Sequence, residues 1–316
     1  MLTLTDVQNV TAPNAIYVAD IFIAACGYEQ RSTYLSKMLA AEANVKVAIG
    51  FTEQRVLDYC ENNRWFTENG FEFYDVDDKS FQATFSRMFI ALEELGRGIK
   101  VFVDISSFNR FRLAEIVDTL RSLKCERVDV RFGYSIATYT PPVEDSTPTV
   151  VVGPVTPQFA GWTTRPDRPP AAIVGLGYET NKAIGIVDHL EINNATWAYY
   201  PVGPIKDYFM SVRAANQSLL NIIQSDGRCQ AYDLDDPAQL FLELNSLVQS
   251  LKSQFNVVLI PFGPKIFALL TLLVATLNED VGVWRVSSGL LETPVCRVAS
   301  EHVVAFDVTF RRLHLE

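Results

Sequence analysis

The chain has 316 residues, 48% hydrophobic and 20% charged, a balance that excludes disorder as its main description and suffices for two compact units. Lys and Arg number 27 against 37 Asp and Glu, a formal charge of −10, so extended DNA or RNA is not an expected partner, whereas a small anion needs only a few well-placed donors. Five scattered cysteines, never in a CxxC spacing, read as reduced thiols in a cytoplasmic protein without a zinc or disulfide framework.

Residues 1–15 have neither a basic nor an apolar signal region, so no signal peptide is expected. The first strand, 21–25, runs into Cys26-Gly27-Tyr28-Glu29 and a helix over 30–41. Strands at 45–50 and 71–76 alternate with helices at 53–66 and 81–95. The fourth strand, 99–105, passes through Ser106-Ser107-Phe108-Asn109-Arg110 into a helix at 111–124, whose Arg112, Glu115, Asp118 and Arg121 are expected to face outward. A fifth strand occupies 128–134.

Eight of the fifteen prolines lie from Pro141 to Pro170, a stretch that is no helix and holds one edge strand at 149–155. It serves as a Pro-rich connector, 146–169, between a first domain at 15–145 and a second at 170–310 that includes a C-terminal strand at 303–310.

The pattern then repeats. A strand at 172–176 enters Gly177-Tyr178-Glu179 and a helix at 180–190; strands at 196–201, 229–234, 256–260 and 281–287 alternate with helices at 205–223, 238–253 and 266–278. The apolar run 266–277 is too short to span a bilayer and reads as a helix buried between domains or in an oligomer interface. Four landmarks recur in the same order at offsets of 150 to 158 residues: the Gly-Tyr-Glu triplet, the acidic set (Asp75, Asp77, Asp78 against Asp233, Asp235, Asp236), the fourth strand, and the fifth strand with its Thr-Pro (Thr140-Pro141 against Thr293-Pro294). The fold class is therefore α/β, two duplicated Rossmann-like parallel-sheet domains in a pseudo-twofold arrangement.

Ligands of open α/β sheets lie beyond the carboxyl ends of the strands, where the repeated landmarks fall. Gly27 and Gly177 allow a sharp turn before a helix N-terminus; Glu29 and Glu179 are either capping charges or acceptors for a ribose or base. Ser106, Ser107, Asn109 and Arg110 suit phosphate or ribose oxygens, with Arg31, Lys182, Gly263 and Lys265 as further anion contacts and Tyr28 and Tyr178 as stacking surfaces. No catalytic residue is assigned, although Asp104 and Glu29 are candidate general bases if the protein is an enzyme on a nucleotide or phosphosugar; a non-enzymatic assembly subunit is the third reading. The acidic sets are better read as turns and helix caps than as Mg²⁺ ligands, and neither a metal nor a cofactor is expected. Neither GxGxxG nor a Walker A sequence is present, and the three histidines form no recognisable catalytic pattern. Cys26 and the remaining aromatics, Phe108, Trp162 and Phe262 among them, read as packing residues.

A strand ending in a glycine turn, with a fourth strand entering Asp104-Ile105-Ser106-Ser107-Phe108-Asn109-Arg110 or Gly263-Pro264-Lys265, resembles the CARF-like Rossmann domains. Two in one chain look like the tandem arrangement of SAVED domains. The resemblance implies a sensor of cyclic oligonucleotides or related nucleotide signals in prokaryotic antiviral defence. It further implies ligand contacts from 27–31, 106–110, 177–182 and 263–265 in the cleft between the halves, no membrane, and either a homo-oligomer or a separate effector chain as partner.

Overall fold

The computed structural model describes residues 1–13, 15–39, 43–142, 147–161, 165–291 and 293–313. Trp162, His314 and the expected end of the first helix at 40–41 lie outside the described residues. The chain divides into two units, one formed by 1–138 with 294–316, the other by 139–293.

In the first unit, β2 (Ala19–Ala25), β3 (Ala43–Phe51), β4 (Glu72–Val76), β5 (Ile99–Asp104) and β6 (Arg127–Ala137) form a parallel block in the order β6-β5-β2-β3-β4. All seven residues of β2 are buried, as expected of a strand covered on both faces. Phe22 stacks on Phe102 of the neighbouring strand at 4.7 Å between ring centroids, and Phe66 and Phe71 extend this core. The helices between strands are α1 (Tyr34–Leu39), α2 (Tyr59–Glu68), α3 (Asp78–Arg87) with the short α4 (Ile90–Glu93), and α5 (Arg110–Ser122).

In the second unit, β8 (Pro170–Gly175), β9 (Thr196–Val202), β10 (Cys229–Asp233), β11 (Asn256–Pro261) and β12 (Gly282–Ser287) repeat the order, β10-β9-β8-β11-β12. The connecting helices are α6 (Lys182–His189), α7 (Lys206–Ala215) with α8 (Gln217–Ile223), α9 (Pro237–Leu251) and α10 (Lys265–Thr276). Strand for strand, both units have the sequential order 3-2-1-4-5, so the duplicated Rossmann-like α/β reading holds.

Each fifth strand is covered along its outer edge by an antiparallel strand, which removes an open row of peptide groups. For β12 that partner is β7 (Val151–Pro154), the edge strand expected in the Pro-rich stretch. For β6 it is β13 (Ala299–Arg311), paired from Arg311 opposite Arg127 to Val303 opposite Ser135, and β13 in turn carries β1 (Thr3–Asn9). The C-terminal strand, expected with the second domain, thus belongs to the first sheet, and β1 has no counterpart among the expected strands.

Two helices depart from their expected exposure. On α5, Arg112 is 1%, Glu115 6% and Asp118 7% exposed rather than outward-facing. Hydrophobic patterning assigned them to solvent because a charged side chain ordinarily stays there; here Arg112 is satisfied internally. On α10, every residue from Ile266 to Ala275 is buried by this chain itself, so no second chain is needed to cover that apolar helix. Among the described residues, no helix is long and apolar enough to cross a membrane.

Candidate functional site

The strand order reverses direction at β2/β5 in the first unit and at β8/β11 in the second, and these are the switch points where an open sheet leaves a crevice at its carboxyl ends. Sequence landmarks 80 or more residues apart meet there. A Cβ on Gly27, after β2, would lie 3.0 Å from the Ser107 Cβ after β5; a Cβ on Gly263, after β11, would lie 2.6 Å from the Leu176 carbonyl oxygen after β8. Glycine at both places is a matter of close approach between two turns.

In the first unit the polar groups are turned largely inward. The Arg31 Nε donates to Glu29 at 2.6 Å and its Nη1 to the Ser135 carbonyl at 2.8 Å, with the guanidinium over the Tyr134 ring. Burial opposes the Arg31 charge, but Glu29 and Tyr134 hold its pKa above the ordinary value. Glu29 is therefore the partner of a buried cation, and its carboxylate makes no capping bond to the turn that follows. Ser32 accepts from the Gly27 N–H at 2.9 Å and donates to the Ala25 carbonyl, fixing the glycine turn. Asp104 accepts from the Ser106 N–H at 2.9 Å, and Ser106 Oγ accepts from the Ser135 N–H at 2.9 Å. Asn109 caps α5 through the Arg112 N–H at 2.8 Å. Arg110 begins α5 half-buried, and Ser107 Oγ is enclosed with no hydrogen-bond partner among the described residues.

The second unit uses the same turns differently. Lys182 opens α6 and Lys265 opens α10, so two ammonium-bearing residues stand at helix N-termini, where the backbone dipole favours an anion. The caps are Asn181 and Pro264, and neither provides a side-chain capping bond, in contrast to Asn109. Lys182 Nζ donates to Ser288 Oγ at 3.3 Å. Ser288 follows β12 and Lys182 follows β8, so this bond joins segments that follow the two strands flanking β11. Glu179 folds back over Gly177, where a side chain would collide with its carboxylate. Tyr178 stacks on Tyr208 at 5.9 Å, which in turn meets Tyr139 edge-on; Tyr28 packs against the first unit's core.

Asn62 and Asn216 escaped the reading by motif. Asn62, on α2, donates its amide to the Gly27 and Glu29 carbonyls, each at 2.9 Å; Asn216, between α7 and α8, donates to the Gly177 carbonyl at 2.7 Å. Both are buried, and each ties the helix after the second strand to the glycine turn after the first. Their separation falls within the offset of the other repeated landmarks, and that alignment is the signal that would have found them.

Arg112 forms a separate knot beneath the site. Its guanidinium donates to Asp78 at 2.9 Å and to the carbonyls of Gly50 and Val76 at the ends of β3 and β4. It lies over the Phe51 ring, 3.8 Å from the centroid, with Phe81 at 4.9 Å. The acidic sets act as expected at helix starts: Asp77 caps α3 through the Ser80 N–H and Asp236 caps α9 through the Gln239 N–H. Asp75 accepts from the Tyr59 hydroxyl at 2.8 Å. Cys26 is buried at the end of its strand, and burial pushes its thiol up to about 12, which suits a packing residue. No known protein-family model matches this chain, and no curated protein matches it.

Proposed function

We propose that the protein binds a small nucleotide-type anion at the carboxyl-end turns of its sheets, with the phosphate on the second unit. The observation that carries this reading is the placement of Lys182 and Lys265 at the first turns of α6 and α10, beside Ser288 and a glycine turn that admits close backbone approach. Gly177, Tyr178, Glu179 and Gly263 line the same end of the sheet. In the first unit Arg31 is engaged by Glu29, and the helix behind Ser106, Ser107, Asn109 and Arg110 already carries its own cap, so those residues serve the turn before they serve a ligand. The role that the CARF-like and SAVED-like resemblance suggests, a sensor of cyclic oligonucleotide signals in prokaryotic antiviral defence acting through a separate effector chain, is the specific form of this proposal.

The enzyme reading has less support. Asp104 is 2% exposed and orients the Ser106 N–H, and Glu29 is held by Arg31, so each candidate base has an internal task. For the assembly-subunit reading, α10 offers no support, since it is covered by its own chain.

The test is thermal shift with cyclic di-, tri- and tetranucleotides, ATP, NAD and ADP-ribose. A ligand at ~100 times its dissociation constant stabilises the native state by about 2.7 kcal/mol. Lys265→Ala or Lys182→Ala is expected to abolish the shift produced by one of these compounds while leaving the unliganded melting temperature nearly unchanged. No shift from any compound, or an undiminished shift in both variants, overturns the proposal; turnover lost on Asp104→Asn with binding retained selects the enzyme.

A further inference from the structure

A groove of about 480 Å³ opens in the second unit between α9 and the first residues of β9 and β10. Its floor is the start of β9 with Trp197, one wall is the entry to β10 with Arg228 and Gln230, and the other is the outer face of α9 with Gln239, Leu242 and Glu243. The volume falls in the range of small-ligand pockets.

The carboxylate of Glu243 is held from two elements. Its Oε1 accepts from the Gln239 amide at 2.8 Å and its Oε2 from the Gln230 amide at 3.2 Å. Two neutral amides fix the position of the charge without cancelling it. The cation nearest in the groove is already committed: Arg228 donates through Nη2 to Asp226 at 2.6 Å and through Nη1 to the Thr196 carbonyl at 3.3 Å. Among the described residues no Lys or Arg forms an ion pair with Glu243. The Tyr199 hydroxyl, which also lines the groove, is pushed up to about 12 by burial and then by the Glu243 charge, so the groove interior feels that field.

From this geometry we infer that the groove binds a small alkylammonium compound, its positive head on Glu243 and its alkyl part against Trp197 and Leu242. A carboxylate beside an indole is the pairing that recognises such cations, through a charge-assisted contact and attraction to the ring face. A formal charge of −10 favours cation approach. A divalent metal needs more oxygen ligands than one carboxylate with two of its lone pairs taken. The inference stands apart from the anion proposal, since the groove is lined by none of the residues assigned to the anion.

Calorimetric titration of the full chain with choline and with n-butylammonium tests it. At least one probe is expected to bind saturably, and Glu243→Gln to weaken that binding about tenfold or more, with Trp197→Leu also weakening it. Glu243 is on the outer face of α9, so the glutamine variant is expected to keep the wild-type melting temperature. The uncharged analogue of choline, 3,3-dimethylbutan-1-ol, is expected not to bind. Failure of both probes to bind overturns the inference. So does equal binding by the alcohol, which makes the groove merely apolar, or unchanged affinity in Glu243→Gln.

Discussion

The Asn62 side-chain amide reaches the Gly27 carbonyl at 2.9 Å, and through that bond a helix set by the second strand decides the shape of the turn that ends the first. Asn216 repeats the contact with Gly177 at 2.7 Å, so the two units share a device as well as a strand order. A buried amide that satisfies main-chain carbonyls is costly to remove, because the carbonyls are left without a donor.

Asn62→Ala is accordingly expected to destabilise the protein by about 1–3 kcal/mol, and Asn216→Ala by a similar amount. Chemical denaturation of each variant measures this. Asn62→Asp, which keeps size but loses both amide donors, is expected to be no milder than Asn62→Ala; a wild-type midpoint in both would show that the clamp is idle.

Arg112→Met preserves much of the packing between Phe51 and Phe81 but removes the guanidinium donor from the Gly50 and Val76 carbonyls and leaves the Asp78 carboxylate only its bond from the Asn109 amide. The expected loss is about 2–4 kcal/mol, since breaking a buried hydrogen-bonded charge strands its partners. Hydrogen exchange at the ends of β3 and β4 is expected to rise together with the global loss.

Two groups of carboxylates are expected to respond to pH with opposite sign. Asp20 is held below the usual carboxylate range by its hydrogen bond from Arg97, against the opposing effect of burial. Its stabilising contribution is present above the unfolded pKa of about 3.9 and is lost as pH falls through the lower folded value. Arg97→Ala should therefore reduce stability at neutral pH, with the difference from wild type shrinking in acid.

Glu115 and Asp118 are raised, chiefly by burial; for Glu115 the neighbouring Asp118 charge adds to the effect, while Arg121 partly offsets it for Asp118. Their contribution is most favourable below the unfolded carboxylate pKa and is lost as pH rises through the raised folded values. Glu115→Gln and Asp118→Asn are expected to raise the melting temperature at pH 7 by a few degrees and to change it little below about pH 4. Melting curves across pH 3–8 separate this from the Asp20 effect by sign alone.

Gly27→Ala places a Cβ 3.0 Å from the Ser107 Cβ, closer than side chains normally pack. The two turns must part slightly, at an expected cost of about 1–3 kcal/mol. Ser107→Gly in the same chain is expected to recover much of that loss, and failure to do so would place the strain elsewhere.

Apart from β1, the strands, their alternation with helices, the duplication and the glycine turns were legible in the sequence, because each depends on local hydrophobic runs and on residues with unusual backbone freedom. The Asp77 and Asp236 caps were legible for the same reason, since a cap reaches only three residues ahead. What the sequence left undecided is set by contacts between distant segments. Only the sheet assigns β13 to β6, a pairing across more than 160 residues whose edge-covering role has no local signature. Only packing turns Arg112, Glu115 and Asp118 inward, since the strand-end carbonyls and rings that receive Arg112 come from β3, β4 and α3. The candidate site divides along the same line. Residue types at the turns raised the expectation of anion contacts, but which partners each cation meets, as Arg31 meets Glu29, depends on which neighbours the tertiary fold places within hydrogen-bond reach.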